Sequence, residues 1–204
     1  MKTKTKKHIA KNAAIGGGAL LAAGVLVAGA MAAKKAMKQI PRGVEAVKPF
    51  DINKFLGKWY EIARLDYRFE KNMNNTTAEY SMNNDGTIKV MNRGYNFKKG
   101  KMQEAEGKAK FADAPNEGKL KVSFGGPIYS GYNVIEIDRE YKYAMIAGQD
   151  MKHLWLLSRE SSMPEDKIEE YLAIAESYGY DTSKLVWVGH DDFELYIEDV
   201  EVYM

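Results

Sequence analysis

Eight short stretches of alternating side chains, separated by turn chemistry, run from Gly57 to Arg159. In order they are GKWYEIARLD, TTAEYSMN, TIKVMNRGY, KMQEAEGKAKF, GKLKVSF, GYNVIEID, YKYAMIAG and HLWLLSR. A period of two marks strands with one buried face, because successive side chains point to opposite sides. The turn NNDG at Asn83–Gly86 joins the second stretch to the third, and Asp-Gly supplies the positive φ angles of a tight hairpin. So many antiparallel strands in succession close on themselves, which removes vulnerable edges. Eight strands make a barrel about wide enough for one small ligand. The predicted fold is all-β with one C-terminal helix, an eight-stranded antiparallel up-and-down barrel.

The helix is read from SMPEDKIEEYLAIAESYG. Ser162 and Glu165 have capping-box spacing, and Gly179 is a natural stop. Ile168, Tyr171, Leu172 and Ala175 lie on one side, so the helix needs one surface to cover. The outside of the barrel offers it, with Tyr60 and Ile62 among the residues beneath. KLVWVGHD returns as a short strand, and residues 191–204 form an acidic C-terminal tail.

Parity sorts the strand side chains. With Trp59 inward, Glu61, Ala63 and Leu65 share its face, while Tyr60, Ile62 and Arg64 point outward. Further same-face sets are Ala78, Tyr80 and Met82; Leu120, Val122 and Phe124; and Trp155, Leu157 and Arg159, with Leu154 and Leu156 opposite. An inward Glu61 needs a buried partner, Arg159 or another.

The charge is unevenly spread. Residues 1–43 hold nine Lys and Arg and no acid, which leaves the rest with 21 basic against 28 acidic residues. A body of net −7 is a poor match for a phosphate backbone, so no nucleic-acid partner is expected. The basic start, 1–12, precedes an uncharged run from Ala13 to Ala33. As a helix that run would extend about 30 Å, the width of a bilayer's hydrocarbon layer. A cleaved signal peptide, an uncleaved anchor and an Ala/Gly arm that never meets a membrane all remain open. Export to the cell envelope, with residues 34–49 as a linker and 50–190 as the barrel and helix, is the expected organisation.

Gly57-Lys58-Trp59 on the first strand, Asp138–Tyr141 (DREY) between the sixth and seventh, and Arg159 in LLSR after the eighth resemble the three motifs of the lipocalin family. Arg139 and Glu140 depart from the strictest form of the second motif. GKWYEIAR, NRGY, EGKAKF, KVSFGGPIYSGYNVI and LWLLSR are most similar to the bacterial outer-membrane members and to apolipoprotein D. The resemblance implies a closed-end cluster of Gly57, Trp59, Asp138, Tyr141 and Arg159, in which tryptophan plugs the barrel and arginine packs on it. Bacterial members commonly carry a lipid-modified cysteine, and this chain has no cysteine, so an outer-membrane lipid anchor is in doubt.

The resemblance also implies non-enzymatic binding, storage or transport of a hydrophobic ligand, a fatty acid or lysophospholipid, in the service of membrane maintenance. The candidate cavity wall, by parity, is Ala63, Tyr80, Met82, Val90, Phe124, Val134, Met145 and Trp155. The partners are that small molecule, a membrane through the N-terminal segment, and a second copy in a homodimer. No cofactor and no metal are expected, since His8, His153 and His190 lack ligand spacing. Two alternatives stay open: a lipid-modifying isomerase on the same barrel, though one without a cavity cysteine, and an interaction protein whose cavity is filled by its own side chains.

Overall fold

The computed structural model describes residues 39–65 and 71–190. The basic start, the Ala13–Ala33 run and the acidic tail lie outside the described residues. A single turn of helix, α1 (Ile52–Phe55), leads into eight strands. They are β1 (Gly57–Leu65), β2 (Met73–Met82), β3 (Ile88–Asn96), β4 (Lys101–Phe111), β5 (Lys119–Ser123), β6 (Ser130–Ile137), β7 (Tyr143–Gly148) and β8 (Leu154–Ser158). The helix α2 (Glu165–Ser177) and a short strand β9 (Leu185–Trp187) follow.

Each strand pairs antiparallel with the next, and β1 pairs with both β2 and β8, so the sheet closes. The β2–β3 turn is the one read from Asn83–Gly86: Gly86 has φ +77° and its N–H donates to Asn83 O at 3.0 Å. β2 takes β1 only from Gly57 to Tyr60. Beyond that, β9 pairs with Ala63–Leu65 and covers the edge that β2 leaves.

The core falls into two clusters on opposite faces of the sheet. One lies inside the barrel, around Trp59, Tyr80, Val90, Val134, Ile146 and Leu157. The other lies between the outer face and α2, around Ile62, Met145, Leu156, Tyr171 and Ala175, with Tyr60, Ile168 and Leu172 at its margin. The helix thus covers the surface its apolar stripe calls for, and Tyr171 hydroxyl donates to Tyr143 O at 3.0 Å. Gly179, at φ +91°, ends it as expected. The capping box does not form. Pro164 is the N-cap and no side chain caps the helix; Ser162 instead offers its carbonyl to Ser158 Oγ at 2.8 Å.

Residues 39–49 are also not the free linker that composition suggested. Val47 N–H donates to Val134 O and Val47 O accepts from Gly118 N–H, both at 2.9 Å, and Val44 is buried. The segment is a strap along β5 and β6. A short sequence without periodicity gives no strand signal, yet its backbone bonds to Gly118, Asn133 and Val134.

Candidate functional site

The closed end is built from the β1 entry and the residue after β8. Trp59 is fully buried, and its indole Nε1 donates to Phe55 O at 2.8 Å, which satisfies the one polar atom of a core aromatic. The Arg159 guanidinium carbon lies 3.9 Å from the Trp59 ring centre. Its Nη1 donates to Lys58 O at 2.7 Å, and its Nη2 to Lys54 O at 2.7 Å and Leu56 O at 2.9 Å. One side chain therefore stacks on the plug and ties down the carbonyls of α1 and the turn after it. Burial lowers the Arg159 pKa, yet the guanidinium remains charged. Gly57, at φ +94°, leaves room for Arg159 Nη1, which a Cβ would approach to 3.4 Å.

The DREY turn completes this end. Asp138 Oδ1 accepts from the N–H of Lys142 and of Tyr143, each at 2.6 Å. Tyr141, at φ +57°, accepts the Asp51 N–H on its hydroxyl at 2.9 Å, and its carbonyl accepts from Arg159 Nε at 3.2 Å. All five residues that the resemblance groups at the closed end are brought together.

Above the plug, the lumen is lined by aromatic and aliphatic side chains. Tyr80 packs on Phe55 with ring centres 5.1 Å apart, and its hydroxyl meets that of Tyr132. Tyr132 lies 6.1 Å from Tyr80 and 6.4 Å from Trp155, centre to centre. Of the predicted wall residues, Tyr80, Val90, Val134 and Trp155 face this lumen.

Ala63 and Met145 do not; they are buried beneath α2 on the outer face. For Ala63 the cause is a β-bulge. Glu61 pairs with Leu157 but Ala63 pairs with Leu156, so one extra residue at Ile62 turns the rest of β1 over. Met145 needs no bulge: β7 alternates regularly, with Ala144 and Ile146 in the inner cluster and Met145 between them in the outer one, a phase that period alone does not fix. Met82 and Phe124 keep lumen parity but sit at strand ends and are 44% and 48% exposed. Phe124 rests against Gly107, where a Cβ would come within 2.8 Å of its ring.

The same bulge brings in a residue that parity had pointed outward. Arg64 is fully buried and pairs in register with Trp155. Its Nη1 meets Glu61 Oε1 at 2.6 Å, so Arg64, not Arg159, is the partner that the inward Glu61 requires. Thr76 and Asn92 add polar atoms on this wall: Thr76 Oγ1 and Asn92 Oδ1 are buried and have no hydrogen-bond partner among the described residues. Tyr132, two residues before Val134 on the same face, is legible by period alone; Arg64 is not.

His153 and His190, the two histidines among the described residues, are employed structurally. His153 Nδ1 lies 2.7 Å from Asp150 Oδ1, and His190 Nε2 lies 2.8 Å from Glu61 O. Among the described residues, no group of three or more His, Asp or Glu is placed to hold a metal. No described helix is long and apolar enough to cross a membrane.

Residues 50–190 match the family described as a lipocalin-like domain. The chain is 50% identical over 148 residues to the outer membrane lipoprotein Blc of Escherichia coli K12, covering 72% of this chain and 84% of that one. It is 31% identical over 144 residues to apolipoprotein D of Cavia porcellus, covering 67% and 75%. In fold it is similar to insecticyanin from the tobacco hornworm Manduca sexta, with a TM-score of 0.59 at 22% identity over 74% of this chain and 87% of that one. A closed barrel, a tryptophan plug under an arginine, and matches that span most of the chain lead to one conclusion: the chain belongs to the lipocalin family.

Proposed function

We propose that the barrel binds one hydrophobic amphiphile, a fatty acid or lysophospholipid, and stores or carries it at the cell envelope without chemical change. The observation that carries this reading is the lumen wall. Its lower part is aromatic and aliphatic, while Thr76, Asn92 and the Glu61–Arg64 pair supply a few polar groups above. Ligand cavities have this character: apolar walls give affinity and a few polar atoms set orientation. Each buried methylene of an acyl chain contributes about 0.8 kcal/mol. The Thr76 hydroxyl can donate to a ligand oxygen, and Asn92 Oδ1 can accept from a ligand hydroxyl. The name of the Escherichia coli relative, an outer membrane lipoprotein, supports the envelope as the site of action. With no cysteine here, the Ala13–Ala33 run takes the place of a lipid anchor, as a signal or a tether.

Mass spectrometry of lipids extracted from the purified chain tests the reading. A stoichiometric acyl species supports it. A chain that emerges empty and refuses fatty-acid probes favours an interaction protein with a filled cavity, and turnover of an unsaturated lipid favours an isomerase.

A further inference from the structure

We infer that the outer wall of the barrel carries a second binding site, a groove over β3, β4 and the β5–β6 connection that takes a phosphorylated saccharide. It lies across the sheet from the lumen, so it stands whether or not the lumen binds a lipid.

Parity puts the groove outside. Ile88, Val90 and Ala109 belong to the inner cluster, so Lys89, Glu106 and Lys108 project from the outer face of the same two strands. They form the floor of a groove of about 620 Å³. The Asn83–Asp85 turn makes one wall, and Gly125, Gly126 and Tyr129 make the other. The second wall is held in place, since Ser123 Oγ donates to Gly126 O at 3.1 Å. Gly125 and Gly126 have φ of +121° and +72° with open space where a Cβ would stand, so this wall is bare backbone.

Charge divides the surface in two. Within the groove the cations are matched: Lys108 Nζ lies 3.0 Å from Asp85 Oδ2, and Lys89 Nζ lies 3.0 Å from Glu106 Oε2. A floor of balanced charge, with the amides of Asn83 and Asn84 beside it, offers donors and acceptors to ligand hydroxyls rather than a seat for an ion.

Beyond Tyr129 the balance is lost. Lys110 and Lys121 are direct partners in the β4–β5 register, and neither has an ion-pair partner among the described residues. Like charges placed opposite each other in a sheet are destabilising. Lys110 Nζ sits over the Tyr129 ring, 4.6 Å from its centre, so one tyrosine borders both halves of the surface. An anion between the two ammoniums removes their repulsion, and lysine, a compact point charge with three donors, suits a phosphate. A neutral polyhydroxylated body in the groove with one phosphate at its edge fits both halves.

Amide NMR of the full chain, titrated with glucose-6-phosphate at physiological ionic strength, tests the site. The expected result is a saturable shift of the Asn84, Gly125, Gly126 and Tyr129 signals, with those of Asp138–Tyr141 at the closed end unmoved. Glucose alone and inorganic phosphate alone are each expected to bind about tenfold more weakly. Lys110→Glu turns the like pair into an opposite one. It is expected to weaken glucose-6-phosphate about tenfold while raising the melting temperature, so that weaker binding is not a failure to fold. Lys110→Arg keeps the charge and the binding. Inorganic phosphate that binds as tightly as the sugar phosphate shows an adventitious ion only and overturns the inference. No saturable shift, a shift that survives Lys110→Glu, or a lower melting temperature in that variant overturns it as well.

Discussion

Arg159 shows how much one side chain does at the closed end. It covers the Trp59 face and donates to the carbonyls of Lys54, Leu56 and Lys58, so its removal costs both a cation–π contact and several charge-assisted hydrogen bonds. Arg159→Met is expected to lower stability by about 1–3 kcal/mol in urea denaturation. Arg159→Lys recovers little, since an ammonium cannot span three carbonyls and stack on a ring together. Trp59→Ala is expected to cost about 3–5 kcal/mol, the scale of deleting a buried aromatic, and an unchanged melting temperature contradicts the plug. Glu136 offers a test by pH. Burial, opposed by the Ile137 N–H and joined by Glu170, holds its carboxyl above the ordinary range. A raised folded pKa means the native state keeps its proton longer than the unfolded chain, so stability falls as pH rises from the ordinary carboxylate range through the raised value. Glu136→Gln is therefore expected to raise the melting temperature at neutral pH and leave it unchanged below the carboxylate range. An effect of equal size at both pH values contradicts the assignment.

At the scale of elements, strand alternation carried most of the fold. The order of the eight strands, the Asp-Gly hairpin, the helix with its covered stripe and the short strand in KLVWVGHD were all legible, because each rests on local periodicity or turn chemistry. The illegible part depends on one extra residue in each of two strands. The bulges at Ile62 and Ile135 leave composition untouched but reverse the face of every later residue in the strand. The first sends Ala63 under the helix and brings Arg64 into the lumen; Met145, in the regular strand β7, was misplaced only because period does not say which phase faces in. The strap was missed for another reason: its partners, Val134, Gly118 and Asn133, are remote in sequence, so nothing local announces them. Gly131 tests it. A Cβ there would come within 1.7 Å of Gln39 O, so Gly131→Ala must push the strap off β6. The expected cost is about 1–3 kcal/mol, with new protease cleavage in residues 39–50 of the folded chain. Wild-type stability and resistance in that variant contradict the strap's packing.

For the whole molecule, the structure is a barrel with two unlike ends. One is sealed by Trp59, Arg159 and Tyr141, and the other carries the β3–β4 and β7–β8 connections. The three tryptophans report on three places: Trp59 in the plug, Trp155 in the lumen and Trp187 on the outside. That distribution gives the most direct test of an acyl chain in the lumen, titration of the full chain with a fatty acid brominated along its chain while tryptophan emission is followed. The account predicts saturable quenching at one ligand per chain that Trp155→Phe largely removes and Trp187→Phe leaves in place. No saturable quenching, or quenching that tracks Trp187 instead, would contradict it.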